Sequence, residues 1–145
     1  MIALIQRVNW ARLKIEGELY SEIGSGLLAL IGIEKADTTE LAEKMVDKIL
    51  AYRLFADDDG RMNLDLKAVD GDLLLVSQFT LAASTDKGLR PSFSAAKSPA
   101  EAEQIYRYLV KSAVAQHKVV RDGKFGAYMQ ILLENDGPVT FILKV

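Results

Sequence analysis

The chain has 145 residues, 50% hydrophobic and 26% charged, with a formal net charge of −2. That length carries one domain with a core of its own. The absence of a basic surplus argues against an extended grip on duplex nucleic acid, which depends on Lys and Arg neutralising phosphates. With no cysteine and one histidine, His117, the chain can hold no disulfide, thiolate nucleophile, cysteine-ligated zinc or multi-histidine metal site.

Ile2-Ala3-Leu4-Ile5 opens as a strand, and from Ala11 to Glu16 apolar and charged residues alternate strictly, as on a half-exposed strand. Glu16-Gly17-Glu18 supplies a hairpin turn into Leu19–Ile23. Gly24-Ser25-Gly26 breaks the chain, and Leu27–Ile33 reads as a buried strand. Asp37 is placed to cap a helix with Glu40 at its third position. Leu41, Met45, Ile49 and Tyr52 line its apolar face, and its end is expected near Phe55. The acidic run Asp57-Asp58-Asp59-Gly60 lacks the later ligands of a calcium loop, so it reads as a turn.

Asp70-Gly71-Asp72 is a turn that runs directly into Leu73-Leu74-Leu75-Val76, a strand buried on both faces. At its end the chemistry changes abruptly. Ser77, Gln78 and Thr80 gather around Phe79, followed by a small polar loop with Ala82, Lys87 and Arg90 that closes at Pro91. Hydroxyls and an amide at the mouth of a buried strand are held by a rigid scaffold, which is how sites are commonly built.

A second helix has clear start signals: Ser98 as cap, Pro99 at the first position and Glu101 completing a capping box. Ala102, Ile105, Leu109 and Ala113 line its inner face, and His117 falls at its end, where an imidazole suits the helix dipole. Arg121–Lys124 reads as a turn, Phe125 opens a strand, and Asn135-Asp136-Gly137-Pro138 turns the chain into a last strand that runs to Val145. Tyr128, Leu132 and Ile142 fall on the outward face of these strands, so a second cover, such as another subunit, is expected there. The whole is expected to be α+β, a single domain over 1–145 with a barrel-like or strongly curved mixed β-sheet and two main helices. No apolar run approaches the ~20 residues of a membrane span, and Met1-Ile2-Ala3-Leu4 lacks a charged signal start; the cytoplasm is the expected compartment, with no membrane partner.

Elimination narrows the chemistry. There is no G-x-S-x-G elbow, P-loop or dinucleotide fingerprint, and nothing places His117 near Ser77 or Thr80. Hydrolysis on this chain would rest on main-chain N–H groups, a hydroxyl, an amide or groups of the substrate itself.

Ser77-Gln78-Phe79-Thr80-Leu81 together with Asn135-Asp136-Gly137-Pro138-Val139-Thr140 closely resembles the D-aminoacyl-tRNA deacylases. Gln6-Arg7-Val8, Lys87-Gly88, Arg90-Pro91-Ser92-Phe93 and Phe125-Gly126-Ala127-Tyr128-Met129 extend the likeness from end to end. The resemblance implies a cofactor-free, metal-free hydrolase of the ester between a D-amino acid, or mischarged glycine, and the terminal adenosine of tRNA. It implies a homodimer with its active sites at the subunit interface, where a cis Gly137-Pro138 from the partner excludes L-amino acids. Ser77, Gln78, Phe79 and Thr80 would form the catalytic pocket; Phe125 and Met129 would hold the adenine, and Ala82, Lys87 and Arg90 would assist binding. Thr80 is either a nucleophile or a positioning group beside a substrate 2′-hydroxyl that activates water. The residues also admit a small-molecule amino-ester hydrolase with Thr80 as nucleophile, and a non-catalytic module that binds RNA ends.

Overall fold

A computed structural model describes residues 1–86 and 88–145. Its longest strand but one, β1 (Ile2–Ile15), is the axis of the sheet. One edge of β1 pairs antiparallel with β8 (Met129–Lys144) over nearly its whole length. The other edge is shared: residues 2–8 pair with β3 (Gly26–Gly32) and residues 11–15 with β2 (Glu18–Ile23). Glu16 and Gly17, both at positive φ, make the two-residue turn between β1 and β2.

From β3 the sheet continues in parallel to β6 (Asp72–Ser77) and then β7 (Val120–Asp122). Parallel neighbours need crossovers, and the two helices supply them: α1 (Thr39–Ala51) between β3 and β6, α2 (Pro99–Gln116) between β6 and β7. The Ser21 hydroxyl donates to the Asp122 carbonyl at 3.0 Å, drawing β2 toward β7 and nearly closing the sheet into a barrel. A two-stranded ribbon, β4 (Phe55–Ala56) with β5 (Met62–Leu64), sits apart from the main sheet.

Burial on both faces of β3 and β6 follows from this arrangement. Leu27, Ala29, Ile31, Leu73 and Leu75 face the helices, in one cluster with Met45, Ile49, Ile105 and Leu109. Leu28, Leu74 and Val76 point the other way, into the barrel with Val8, Leu13 and Ile23. Each Leu, Ile or Val side chain among these contributes ~1.5–3 kcal/mol by leaving water, so the strand that leads to Ser77 is anchored from two sides.

Several local expectations are corrected. Thr38, not Asp37, caps α1, accepting from the Leu41 N–H at 3.4 Å. Asp37 is instead buried, 2.7 Å from the Met1 ammonium, and also accepts from the Glu34 N–H. A buried ion pair outcompetes a solvent-facing cap for this carboxylate, since unpaired charge is costly to bury. The helix ends at Ala51 because Tyr52 is extended, and the Tyr52 ring packs on Phe141 with centroids 5.8 Å apart. Ser98 makes no cap to a backbone N–H; its hydroxyl bonds the Glu101 carboxylate, so the capping box is not formed. Arg121 and Asp122 belong to β7, and Phe125 lies in a turn before β8 instead of opening a strand. Asp57 organises its own turn, accepting from the N–H groups of Asp59 and Arg61 and from Asn63 Nδ2.

The largest correction concerns Asn135-Asp136-Gly137-Pro138. The chain does not reverse there. β8 runs straight through, pairing Asn135 with Val8 and Thr140 with Gln6, so four residues (136–139) stand opposite the single residue Arg7. Asn135 Nδ2 donates to the Thr140 hydroxyl at 2.8 Å, and Asn135 Oδ1 accepts from the Val139 N–H at 2.9 Å, pinching the neck of this bulge.

Candidate active site

The site is built where β6 ends. Gln78 donates its backbone N–H to Ile31 at 2.7 Å, continuing the β3 pairing one step past the strand. The chain then coils into one 3-10 turn, Phe79–Ala82. That turn lies against β3 because position 32 is glycine: a Cβ there would stand 2.7 Å from the Leu81 Cβ. Within the turn, Leu81 N–H returns to Gln78 and Ala83 N–H to Thr80, whereas the N–H groups of Phe79 and Thr80 meet no backbone carbonyl among the described residues. Leading donors of a helical turn are left open in this way.

Beside the turn opens a cavity of about 680 Å³. Ser77, Gln78 and Phe79 at the end of β6, Phe93 and Lys97 before α2, and Phe125 and Met129 ahead of and at the start of β8 all line it. Among the described residues no carboxylate or imidazole lines it; Lys97 and Tyr128 are its ionisable groups. Thr80 stands next to Phe79, exposed, with Gln78 Nε2 donating to its hydroxyl at 2.6 Å. His117 is remote. It caps α2 and its Nε2 donates to the Gly71 carbonyl at 2.7 Å, at the far end of β6. At ~3.3 Å per residue that is about 20 Å from Ser77.

Phe125 has its own support. Tyr106 of α2 is buried and donates its hydroxyl to the Leu75 carbonyl at 2.9 Å, which also accepts from the Gly123 N–H at 2.9 Å. The Tyr106 ring meets the Phe125 ring with centroids 5.9 Å apart. Burial first, and the nearby Asp122 charge second, push the Tyr106 phenol well above its ordinary range. Burial likewise raises the Asp122 carboxyl.

The remaining expected residues are dispersed. Ala82 is buried in the 3-10 turn, and Arg90 is exposed on the loop beyond it; neither lines the cavity. Lys87 lies outside the described residues. Gly137 and Pro138, joined by a cis peptide bond, are exposed on the β8 bulge and line no part of this chain's cavity. Arg7 braces that bulge: its Nη1 donates to the Leu54 carbonyl at 2.6 Å. Its Nε lies 2.9 Å from the Asp136 carboxylate, close enough to pair though not aligned for a hydrogen bond. Gly137 has φ +126°, and a Cβ there would approach Val139 Cγ2 to 2.6 Å, so glycine is required.

Sequence reasoning did not assign site roles to Phe93, Tyr106 or Tyr128. Phe93 and Tyr128 lay inside motifs that carry the family likeness, without a role of their own; Tyr106 left only its place beside Ile105 on the inner face of α2.

A family model described as D-Tyr-tRNA(Tyr) deacylase matches residues 4–144. The chain belongs to that family. This deacylase is 54% identical to the D-aminoacyl-tRNA deacylase of Cellvibrio japonicus (strain Ueda107) over 145 residues, covering 100% of this chain and 99% of that one. It is 52% identical to the protein of the same name from Haemophilus influenzae (strain 86-028NP), over the whole of both chains. Among solved structures it superimposes on a c-Myc DNA unwinding element binding protein with TM-score 0.96 and 39% identity, covering 100% of this chain and 99% of the other. A structure described as a probable eukaryotic D-amino acid tRNA deacylase shares the fold at TM-score 0.87 and 16% identity. No helix among the described residues of the deacylase is long and apolar enough to cross a membrane.

Proposed function

We propose that this chain hydrolyses the ester joining a D-amino acid, or mischarged glycine, to the 3′-terminal adenosine of tRNA. The reading rests on family membership together with one observation: a nucleoside-sized cavity that offers open main-chain N–H donors at Phe79 and Thr80 but no carboxylate or imidazole. Water adds to the ester carbonyl carbon, and the developing oxyanion is met by those N–H groups. Preorganised donors of this kind are worth ~3–4 kcal/mol. The carbon–oxygen ester bond then breaks, and the ribose oxygen leaves with the proton, giving free amino acid and tRNA.

With no carboxylate or imidazole among the described residues that line the cavity, the 2′-hydroxyl of the terminal ribose activates the water. Ser77, Gln78, Phe79 and Thr80 hold the aminoacyl group, and Phe125 and Met129 hold the adenine. Thr80 acts as a positioning group. Ala82 supports the turn from within, and the cationic side chains of Arg90 and Lys87 draw in the RNA end. No cofactor or metal takes part in this scheme. An extended grip on duplex is outside it, since a net charge of −2 provides no basic surplus.

The working unit is a homodimer of one domain per chain, in the cytoplasm. Gly137 and Pro138 stand on a braced bulge outside their own cavity, and Leu132, Phe141 and Ile142 of the same strand are exposed apolar residues awaiting a cover. Seated on the partner, the carbonyls of Gly137 and Pro138 would clash with the side chain of an L-amino acid. Rejection by a clash discriminates more sharply than a missing attraction.

Incubation with D-Tyr-tRNA and with D-tyrosine methyl ester separates this reading from its rivals. Hydrolysis of the tRNA ester alone is expected. Equal hydrolysis of both, with a trapped acyl-threonine, would indicate the small-ester enzyme, and binding without release would indicate the RNA-end module.

A further inference from the structure

Two large aromatic side chains stand in solvent at the rim of the cavity. Phe79 is 62% exposed and Phe93 42%, and their ring centroids are 5.0 Å apart at 47°. Neither is on a loose tether. Phe79 opens the 3-10 turn seated on Gly32. Phe93 follows a paired neck in which Ser84 and Ser92 exchange backbone hydrogen bonds of 2.8 and 3.0 Å. Past Phe93, Ala95 and Lys97 bond the backbone of Lys35 and Ile33.

We propose that Phe79 and Phe93 form a stacking platform for the base of the nucleotide that precedes the terminal adenosine. The proposal rests on the reading of the cavity as an aminoacyl-adenosine site. A cavity that takes the terminal nucleoside must let the next nucleotide leave across its rim, and an unpaired base out of water gains by stacking on an aromatic face. Charge fits the same path. Lys97 lines the cavity beside Phe93, its Nζ fixed on the Lys35 carbonyl at 2.8 Å, and Arg90 is exposed on the loop between Ser84 and Ser92. Asp86, the acid of that loop, accepts from the Ser84 hydroxyl at 3.0 Å. Tyr128 also lines the cavity and immediately precedes the strand whose exposed apolar residues are assigned to the partner subunit, which leaves the phenylalanine side for the RNA to exit.

The test compares kcat/KM for two esters, D-tyrosyl adenosine and D-tyrosyl cytidylyl-adenosine, in wild type, Phe93→Ala and Phe93→Trp. Wild type is expected to favour the dinucleotide by about tenfold, or about 1.4 kcal/mol. Phe93→Ala should remove most of that preference and Phe93→Trp should keep it. Hydrolysis of both esters with no dinucleotide preference overturns the platform while leaving the deacylase reading intact. Equal losses on both esters in Phe93→Ala, with a shift from dimer to monomer, overturn it in favour of a subunit contact. Failure to hydrolyse D-Tyr-tRNA at all overturns both readings.

Discussion

The side-chain amide of Gln78 donates to the hydroxyl oxygen of Thr80 at 2.6 Å. A hydroxyl that accepts from an amide, with no imidazole or carboxylate to take its proton, is poorly prepared to attack an ester. Thr80→Ala is therefore expected to keep deacylation within about tenfold of wild type in single-turnover assays. Removal of a true nucleophile costs ~10⁶-fold in a serine protease, and a loss of that order would make Thr80 the nucleophile.

Tyr106 makes the fold sensitive to alkali. Its phenol is buried and its pKa lies above the ordinary value of 10.0, so above that pH the unfolded chain gives up a proton that the folded chain keeps. Stability then falls as pH rises beyond 10. Urea midpoints measured from pH 9 to 11 should decline for wild type, and Tyr106→Phe should flatten that slope. An unchanged slope in Tyr106→Phe would show that the phenol ionises without cost to the fold.

The sequence carried the sheet well where burial decides it. Leu73–Val76 reads as a strand buried on both faces because it has the helices on one side and the barrel interior on the other. It misled where a local signal had a stronger distant claim. Asp37 looks like a cap, yet the Met1 ammonium, 36 positions away, holds it. Asn135-Asp136-Gly137-Pro138 looks like a chain reversal, because turn residues report local geometry and cannot report that β1 pairs on both sides of them. The pocket residues Ser77, Gln78, Phe79, Phe125 and Met129 converge on one cavity, and the motif pattern had named each of them. Phe93 was named in a motif without a role, and Tyr106 bears on the site only by packing against Phe125, which no spacing rule encodes.

The cross-subunit arrangement can be tested by mixing crippled chains. Gly137→Trp forces a bulky side chain onto the braced bulge, and Phe79→Pro removes one of the open N–H donors. Each homodimer, verified as folded and dimeric, is expected to be nearly inactive. After re-equilibration about half the dimers are hybrids, and in a two-fold pair one hybrid site collects both lesions and the other neither. Activity should return to about a quarter of wild type. Hybrids as inactive as their parents would place the whole site within one chain.

The most direct measurement is the rate of release of D-tyrosine and of L-tyrosine from matched charged tRNA, at equal enzyme and in the absence of metal. Release of the D form at least about 100-fold faster, equivalent to ~2.7 kcal/mol of discrimination, is the predicted result. Equal rates on the two enantiomers would contradict it.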